Sequence, residues 1–169
     1  RTSCRRAERE GVTLQWYNGA PPKDVMEQLQ QLSNAWLECK GGKYVVEMGF
    51  SMGRLDGLVE AAARADTLAT IDLMAGETPA QKIPHLVTGV ATDRTGKVCA
   101  FVTFTPIYGS RTSEKEHNGW GWALDLMRRA PSAPPGVIEL LLVRAIERFR
   151  ACGAEVVSLG AIAMADTRQ

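Results

Sequence analysis

The fold of this chain is decided by residues 120–159, which read WGWALDLMRRAPSAPPGVIELLLVRAIERFRACGAEVVSL. Trp120 to Met127 is rich in apolar and aromatic residues and predicts a β-strand. A Pro-rich connection from Arg128 to Gly136 follows it. Val137 to Cys152 carries apolar residues at helical spacing, which predicts an amphipathic helix. Val156 to Leu159 predicts a further strand, so the stretch predicts the strand–helix–strand unit of an α/β domain.

The preceding sequence predicts a β-hairpin. Leu86 to Thr92 and Lys97 to Thr105 are rich in strand-forming residues, and the turn residues Asp93 to Gly96 join them. The second strand is apolar on both faces from Val98 to Phe104, which predicts a central position in the sheet.

The N-terminal part predicts a basic helix from Arg1 to Glu10, a short strand from Val12 to Tyr17 and a helix from Pro21 to about Cys39. A shorter, Ala-rich helix is predicted from Leu55 to Ala65. The order strand, two helices, hairpin, strand, helix, strand is that of the GNAT acyltransferase fold. We therefore expect an α/β (α+β) domain with a mixed sheet and helices on both faces, formed by residues 12–169.

Composition sets limits on the function. The 169 residues suit one domain, and 20 Lys and Arg balance 19 Asp and Glu, so any RNA contact must come from a local patch. No apolar run approaches the roughly 18 residues that a membrane span requires. The four cysteines lack paired spacing, so no metal is expected, and a reducing cytosol is favoured. The chain opens without Met inside a helix, which indicates part of a larger protein, with residues 1–11 as the end of a linking helix.

Residues 47–54, EMGFSMGR, form the first candidate binding motif. Two glycines four residues apart let the backbone bend and approach a ligand closely. The carboxylate of Glu47 suits the ammonium group of a ligand. The alternative is a helix-to-helix turn with a buried Phe. The predicted substrate-binding residues in this motif are Glu47, Gly49, Phe50, Ser51 and Arg54.

The second motif is the polar pair Asp125 and Arg128 in an otherwise apolar strand. Strict alternation puts Trp122 and Arg128 on one face and Asp125 on the other. A buried Asp is costly without a partner, and the guanidinium fork suits a phosphate or a carbonyl. We predict that Asp125 and Arg128 are catalytic. The alternative is a structural ion pair at the strand end.

The loop after this strand, residues 130–136, reads APSAPPG. In acetyl-CoA-dependent members of the fold this loop is Gly-rich and cradles the pyrophosphate at a helix N-terminus. Prolines have no N–H to donate, so the loop is poorly suited to coenzyme A. We therefore expect no cofactor.

Aromatic residues near the strand ends predict an apolar binding groove. We expect Trp120 and Tyr108 to line an open apolar groove that leads to Arg128, with Trp122 as a further wall and Trp120 partly exposed. The alternative is an ordinary core. Glu139, at the start of the last helix, completes the predicted substrate-binding set.

The basic N-terminal helix predicts a contact with RNA phosphates through Arg5, Arg6 and Arg9. Glu8 and Glu10 are interspersed among these arginines, so a solvated surface is the alternative.

Several motifs together resemble the C-terminal domain of phosphatidylglycerol lysyltransferase, the multiple peptide resistance factor family. Residues 125–128, DLMR, with the loop at 131–136, resemble its strand and loop. Residues 49–53, GFSMG, resemble its Gly-Phe-Ser-Leu-Gly, and residues 32–37, LSNAWL, resemble its helix ending in Trp-Leu. Arg9-Glu-Gly and Ser158-Leu-Gly also match. Pro135 departs from the pattern, since the family usually has Asn there.

The resemblance implies the second unit of a tandem GNAT-like enzyme, with a preceding GNAT-like domain as its partner. It implies an aminoacyl-tRNA donor and a membrane lipid acceptor, either phosphatidylglycerol or, as in fungal members, the sterol ergosterol. It also implies that the enzyme acts in the cytoplasm at the inner face of a membrane, with peripheral membrane contact. The alternatives are a coenzyme A-dependent N-acetyltransferase and a non-catalytic lipid- or tRNA-binding module.

Overall fold

A computed structural model describes residues 2–41, 55, 86–107 and 119–160. Leu55 is helical, and the rest of the helix predicted to begin there lies outside the described residues. The elements in chain order are α1 (Thr2–Arg9), β1 (Thr13–Asn18), α2 (Lys23–Gly41), β2 (Val87–Thr92), β3 (Val98–Ile107), β4 (Gly121–Arg129), α3 (Val137–Ala151) and β5 (Val156–Ser158).

The five strands form one mixed sheet in the order β1-β2-β3-β4-β5. Strands β1 to β4 pair with one another in antiparallel fashion, and β5 pairs with β4 in parallel. Because parallel neighbours need a crossover, α3 connects β4 to β5 over one face of the sheet. The central position predicted for β3 is confirmed. Strand β4 runs past its predicted end at Met127 and includes Arg128.

Helices cover both faces of the sheet, as expected. Helices α1 and α3 pack on one face, and α2 packs on the other. Phe149 of α3 lies at the centre of the first face, where its ring stacks on Trp122 and meets Phe104 edge-on, with 4.9 Å between ring centroids in each pair. The core of this domain is therefore divided by the sheet into two separate apolar clusters.

Phe149→Ala is expected to lower the free energy of unfolding by about 3–5 kcal/mol, because it opens a cavity between two aromatic rings. Urea denaturation measures the change. Ile146 lies on the same helix with 40% of its surface exposed, so Ile146→Ala is the matched control, with a change within about 0.5 kcal/mol. Equal losses in the two variants would contradict this account of the core.

Two glycines permit close backbone approaches near the ends of α3. A Cβ at Gly121 would collide with the carbonyl oxygen of Val156, so β5 lies against β4 only because that position has no side chain. Gly136, which precedes α3, has a φ of 87° and meets the carbonyl oxygen of Ser3 in the same way. These contacts fix where β5 joins the sheet and where α1 lies on α3.

Candidate active site

A β-bulge interrupts β4 at Asp125. Thr103 pairs with Leu126 and Phe104 pairs with Leu124, which leaves Asp125 without a residue opposite it on β3. Bulges redirect side chains and are over-represented next to active sites. The predicted catalytic carboxylate therefore lies at the one irregular position between β3 and β4.

The bulge changes which side chains of β4 share a face. Trp122 and Leu124 pack in the cluster under α3, whereas Leu126 packs in the cluster under α2 and Arg128 contacts α2. The prediction that Arg128 shares a face with Trp122 is therefore wrong. An extra residue in one strand shifts the alternation by one, so every side chain beyond it changes face.

Thr103 of β3 contacts the carboxylate of Asp125. Its Oγ1 lies 3.4 Å from Oδ2 of Asp125 and accepts a hydrogen bond of 3.0 Å from the backbone N–H of Leu126. Its own hydroxyl proton is therefore donated to the carboxylate. Burial raises the pKa of Asp125 above its usual range, and the hydrogen bond from Thr103 opposes this rise. A partly exposed carboxylate with a raised pKa is suited to act as a general base.

Arg128 is held against α2 by two side chains of that helix. Its Nη1 donates a hydrogen bond to Oγ of Ser33, and its Cζ lies 5.3 Å from the ring centroid of Trp36. Only 4% of the Arg128 surface is exposed, and this burial lowers the pKa of its guanidinium. An arginine remains charged under these conditions, so the strand carries a buried, oriented cation.

The pKa shifts of Asp125 and Arg128 have separate causes. The pKa of Asp125 is shifted by burial and by Thr103, and the pKa of Arg128 is shifted by burial, so neither shift is caused by the other group. Asp125 and Arg128 are three positions apart on β4, so their Cα atoms are at most about 10 Å apart. Both side chains can therefore reach one bound ester group.

The two ends of β4 have different neighbours. Strand β5 pairs with Gly121 to Ala123, and within the described residues no strand pairs with that edge of β4 from Leu124 to Arg129. Backbone N–H and C=O groups that project from such an edge can bind an extended ligand. The candidate catalytic residues thus lie in the half of β4 that leaves this edge available in the described part of the chain.

The structure does not place the two tryptophans on a groove that leads to Arg128. Trp122 is fully buried and lies on the α3 side of the sheet, whereas Arg128 lies on the α2 side. Trp120 is 8% exposed, so the expectation of partial exposure is wrong. The chain that leads into β5 returns beside Trp120: Glu155 and Val156 donate N–H groups to its carbonyl, and a Cβ at Gly153 would lie 3.8 Å from Cζ2 of its ring.

The remaining substrate-binding predictions divide into two groups. Glu139 is exposed in the first turn of α3 and therefore lies across the sheet from Arg128. The other residues lie outside the described residues and stay predictions: Glu47, Gly49, Phe50, Ser51, Arg54 and Tyr108.

The three arginines of α1 are exposed, with different surroundings. Arg6 forms an ion pair of 3.2 Å with Glu10, whereas Arg5 and Arg9 line a shallow depression together with Thr2 and Glu8. Glu8 also forms an ion pair of 2.8 Å with Arg144 of α3. Arg5 and Arg9 are therefore the cations of α1 best placed for a phosphate.

Two further features of the described residues concern metal binding and membrane spanning. Within the described ranges, no cluster of His, Cys, Asp and Glu side chains is arranged to bind a metal ion. No helix in the described part of the chain combines the length and apolar character of a membrane span.

The sequence as a whole matches one family. The model described as "Phosphatidylglycerol lysyltransferase, C-terminal" covers residues 1–169. The chain belongs to this family. No curated protein matches the chain.

Solved structures similar to this chain show the fold. L-PGS from Bacillus licheniformis is 21% identical with a TM-score of 0.58, over 96% of this chain and 40% of that one. A C-terminal domain from Agrobacterium fabrum, described as part of a lysylphosphatidylglycerol synthetase, is 21% identical with a TM-score of 0.53, over 94% and 39%. An aminoglycoside acetyltransferase from a soil metagenomic sample is 13% identical with a TM-score of 0.53, over 89% and 77%. The GNAT-like fold is confirmed, and the chain spans about 40% of the length of the first two.

Three residues of the chain contact the predicted pair but were not predicted as site residues. They are Thr103, Ser33 and Trp36. Ser33 and Trp36 are one helical turn apart on α2, and a Ser on the apolar face of a helix is the signal that points to a buried polar partner.

Proposed function

We propose that this chain is the acyl-transfer unit of an enzyme that moves an amino acid from aminoacyl-tRNA to a hydroxyl of a membrane lipid. The observation that carries the proposal is the bulge in β4, which puts Arg128 on the α2 side of the sheet and Asp125 in contact with Thr103, in a member of this family. The proposed acceptor is phosphatidylglycerol or a sterol such as ergosterol. The proposed place of action is the cytoplasmic face of a membrane, together with a preceding GNAT-like domain of the same protein.

The reaction needs a base and an oxyanion donor. The lipid hydroxyl oxygen attacks the ester carbonyl carbon, Asp125 accepts the hydroxyl proton, and Arg128 donates hydrogen bonds to the oxyanion. The tetrahedral intermediate then breaks its bond to the tRNA ribose oxygen, which takes the proton from Asp125. A general base contributes about 10²–10⁴-fold and one oxyanion donor about 10²–10³-fold. The ester is already activated, so no covalent enzyme intermediate and no cofactor are required.

The N-terminus of α3 supports a donor other than acetyl-CoA. Pro131, Pro134 and Pro135 cannot donate N–H groups to a pyrophosphate. Glu139 adds a negative charge in the first turn of α3, where a pyrophosphate would have to lie.

The double variant Arg5→Ala/Arg9→Ala is expected to weaken tRNA binding and to reduce the slope of log affinity against log salt by about one per arginine. Filter binding at several salt concentrations measures the slope. Arg94→Ala/Lys97→Ala removes two exposed cations from the β2–β3 turn and is the matched control. The same loss in both double variants would show that α1 has no specific part in tRNA binding.

Lipid extraction tests the proposed function itself. Cells that express the full-length protein should yield a lipid heavier than its parent by one aminoacyl residue, detected by mass spectrometry, and cells with the Asp125→Asn variant should not. In vitro, transfer of a labelled amino acid should require intact aminoacyl-tRNA and should disappear after ribonuclease treatment. Transfer from acetyl-CoA instead, or a folded full-length protein that modifies no lipid, would refute the proposal.

A further inference from the structure

Ser33 and Trp36 lie on the face of α2 that packs against the sheet. Leu29 and Leu32 of the same face are buried in the apolar cluster on this side, so the position of α2 against the strands is fixed by packing. Ser33 and Trp36 follow at the spacing that keeps side chains on one helical face. Both contact the guanidinium of Arg128.

The two contacts constrain different motions of the same group. The hydrogen bond to Ser33 holds one edge of the guanidinium, and the ring of Trp36 lies over it. Ser33 is 1% exposed, so water does not compete for this bond. Together they restrict both the tilt of the guanidinium and its rotation about the side chain.

Stability alone does not require a cation in this place. Apolar residues of similar volume often replace buried charges with no loss of stability, and the neighbours Phe101 and Leu126 show that this side of the sheet accepts apolar side chains. An oriented cation on the same strand as a partly exposed carboxylate is an arrangement that catalysis of acyl transfer can use.

We infer that Ser33 and Trp36 are positioning residues that fix the guanidinium of Arg128 in the orientation used for transfer. The orientation itself follows from the contacts with α2. Its consequence for the reaction rests on the proposed function, so the test has one arm that depends on transfer and one that does not.

The first arm measures kcat and KM in the full-length protein. Ser33→Ala and Trp36→Leu should lower kcat by up to about 10²-fold, since misplacement of a catalytic group by about 1 Å has an effect of that size. KM for aminoacyl-tRNA should stay within about twofold, and Trp36→Phe should recover most of kcat because it keeps an aromatic ring. Asn34→Ala, on the exposed side of the same helix, should match the wild type. Wild-type kcat in Ser33→Ala and Trp36→Leu would overturn the inference.

The second arm observes the Nε–H signal of Arg128 by NMR in the ¹⁵N-labelled chain, identified by its loss in Arg128→Lys. Trp36→Leu should shift this proton because it removes the ring current, and Ser33→Ala should speed its exchange with water. If Trp36→Leu does not fold, Trp36→Phe can be measured instead, because a smaller ring also changes the ring-current shift of this proton. A response without any transfer by the wild type would refute the proposed function and support the positioning, whereas no response in any of the variants would overturn the positioning.

Discussion

Asp125→Asn is expected to cut transfer by about 10²–10⁴-fold while the fold becomes no less stable at neutral pH. The amide cannot accept the hydroxyl proton, so the general base is lost. Its oxygen can still accept the hydrogen bond that Thr103 donates to the carboxylate. The variant also removes a charge whose burial is unfavourable, as the raised pKa of Asp125 shows.

The sign of the pH dependence follows from that raised pKa. Between the usual Asp value, about 3.9, and the higher value in the folded protein, the folded state binds more protons than the unfolded state. The free energy of unfolding of the wild type therefore falls as pH rises through this window. In Asp125→Asn this contribution is absent, so the stability difference in favour of the variant should grow from acid to neutral pH.

Urea denaturation across this pH range measures the stability difference, and a pH–rate profile should show wild-type kcat/KM rising through the raised pKa of Asp125. Asp93→Asn is the matched control with the opposite sign. Hydrogen bonds from Thr95 hold the pKa of Asp93 below its usual range, so its stabilising effect is present at neutral pH and is lost in acid. Asp93→Asn should lower stability at neutral pH and keep full transfer. Wild-type turnover in Asp125→Asn would exclude the carboxylate as the base.

Arg128→Met is expected to lower transfer by about 10²–10³-fold and to keep the fold. Methionine fills a similar volume between β4 and α2 without a charge, and such replacements of buried ions are often neutral or stabilising. Arg128→Ala would instead leave a cavity, because Arg128 is buried against Ser33 and Trp36. Methionine therefore separates an effect on chemistry from an effect on folding.

Arg128→Lys distinguishes a point charge from a guanidinium. Lysine keeps the positive charge but loses the planar fork of donors and its stacking on Trp36, so transfer should fall nearly as far as in Arg128→Met. Single-turnover transfer measures the loss, and thermal unfolding checks the fold. Arg129→Met changes the neighbouring exposed arginine and should transfer normally. Full activity in Arg128→Met would remove Arg128 from the proposed chemistry.

Elements with strong local patterns could be predicted from the sequence. The helix expected from Val137 to Cys152 is found at Val137–Ala151, and the second hairpin strand, expected from Lys97 to Thr105, is found at Val98–Ile107. In both, the apolar period and the flanking turn residues lie within a few positions of each other, so the signal needs no distant partner.

The geometry of the site depended on distant partners. No Gly or Pro marks the bulge at Asp125, because it arises from the pairing of β4 with β3. The contact between Ser33 and Arg128 joins residues 95 positions apart. Trp120 looked exposed beside a charged stretch, yet the chain that leads into β5 returns beside it. Alternation within a single strand therefore predicted the wrong face for Arg128.

The pairing of β1 with β2 sets the order in which the domain can assemble during synthesis. Thr13 and Thr92 lie 79 positions apart, yet their hydroxyl oxygens are 2.7 Å apart across the two strands. A ribosome adds about 5–20 residues per second, so β1 is made roughly 4–16 s before its partner. Closing so long a loop is entropically unfavourable until the partner strand is already structured. We therefore expect the β2–β3 hairpin to form before β1 docks on it, so this pairing step runs against the direction of translation.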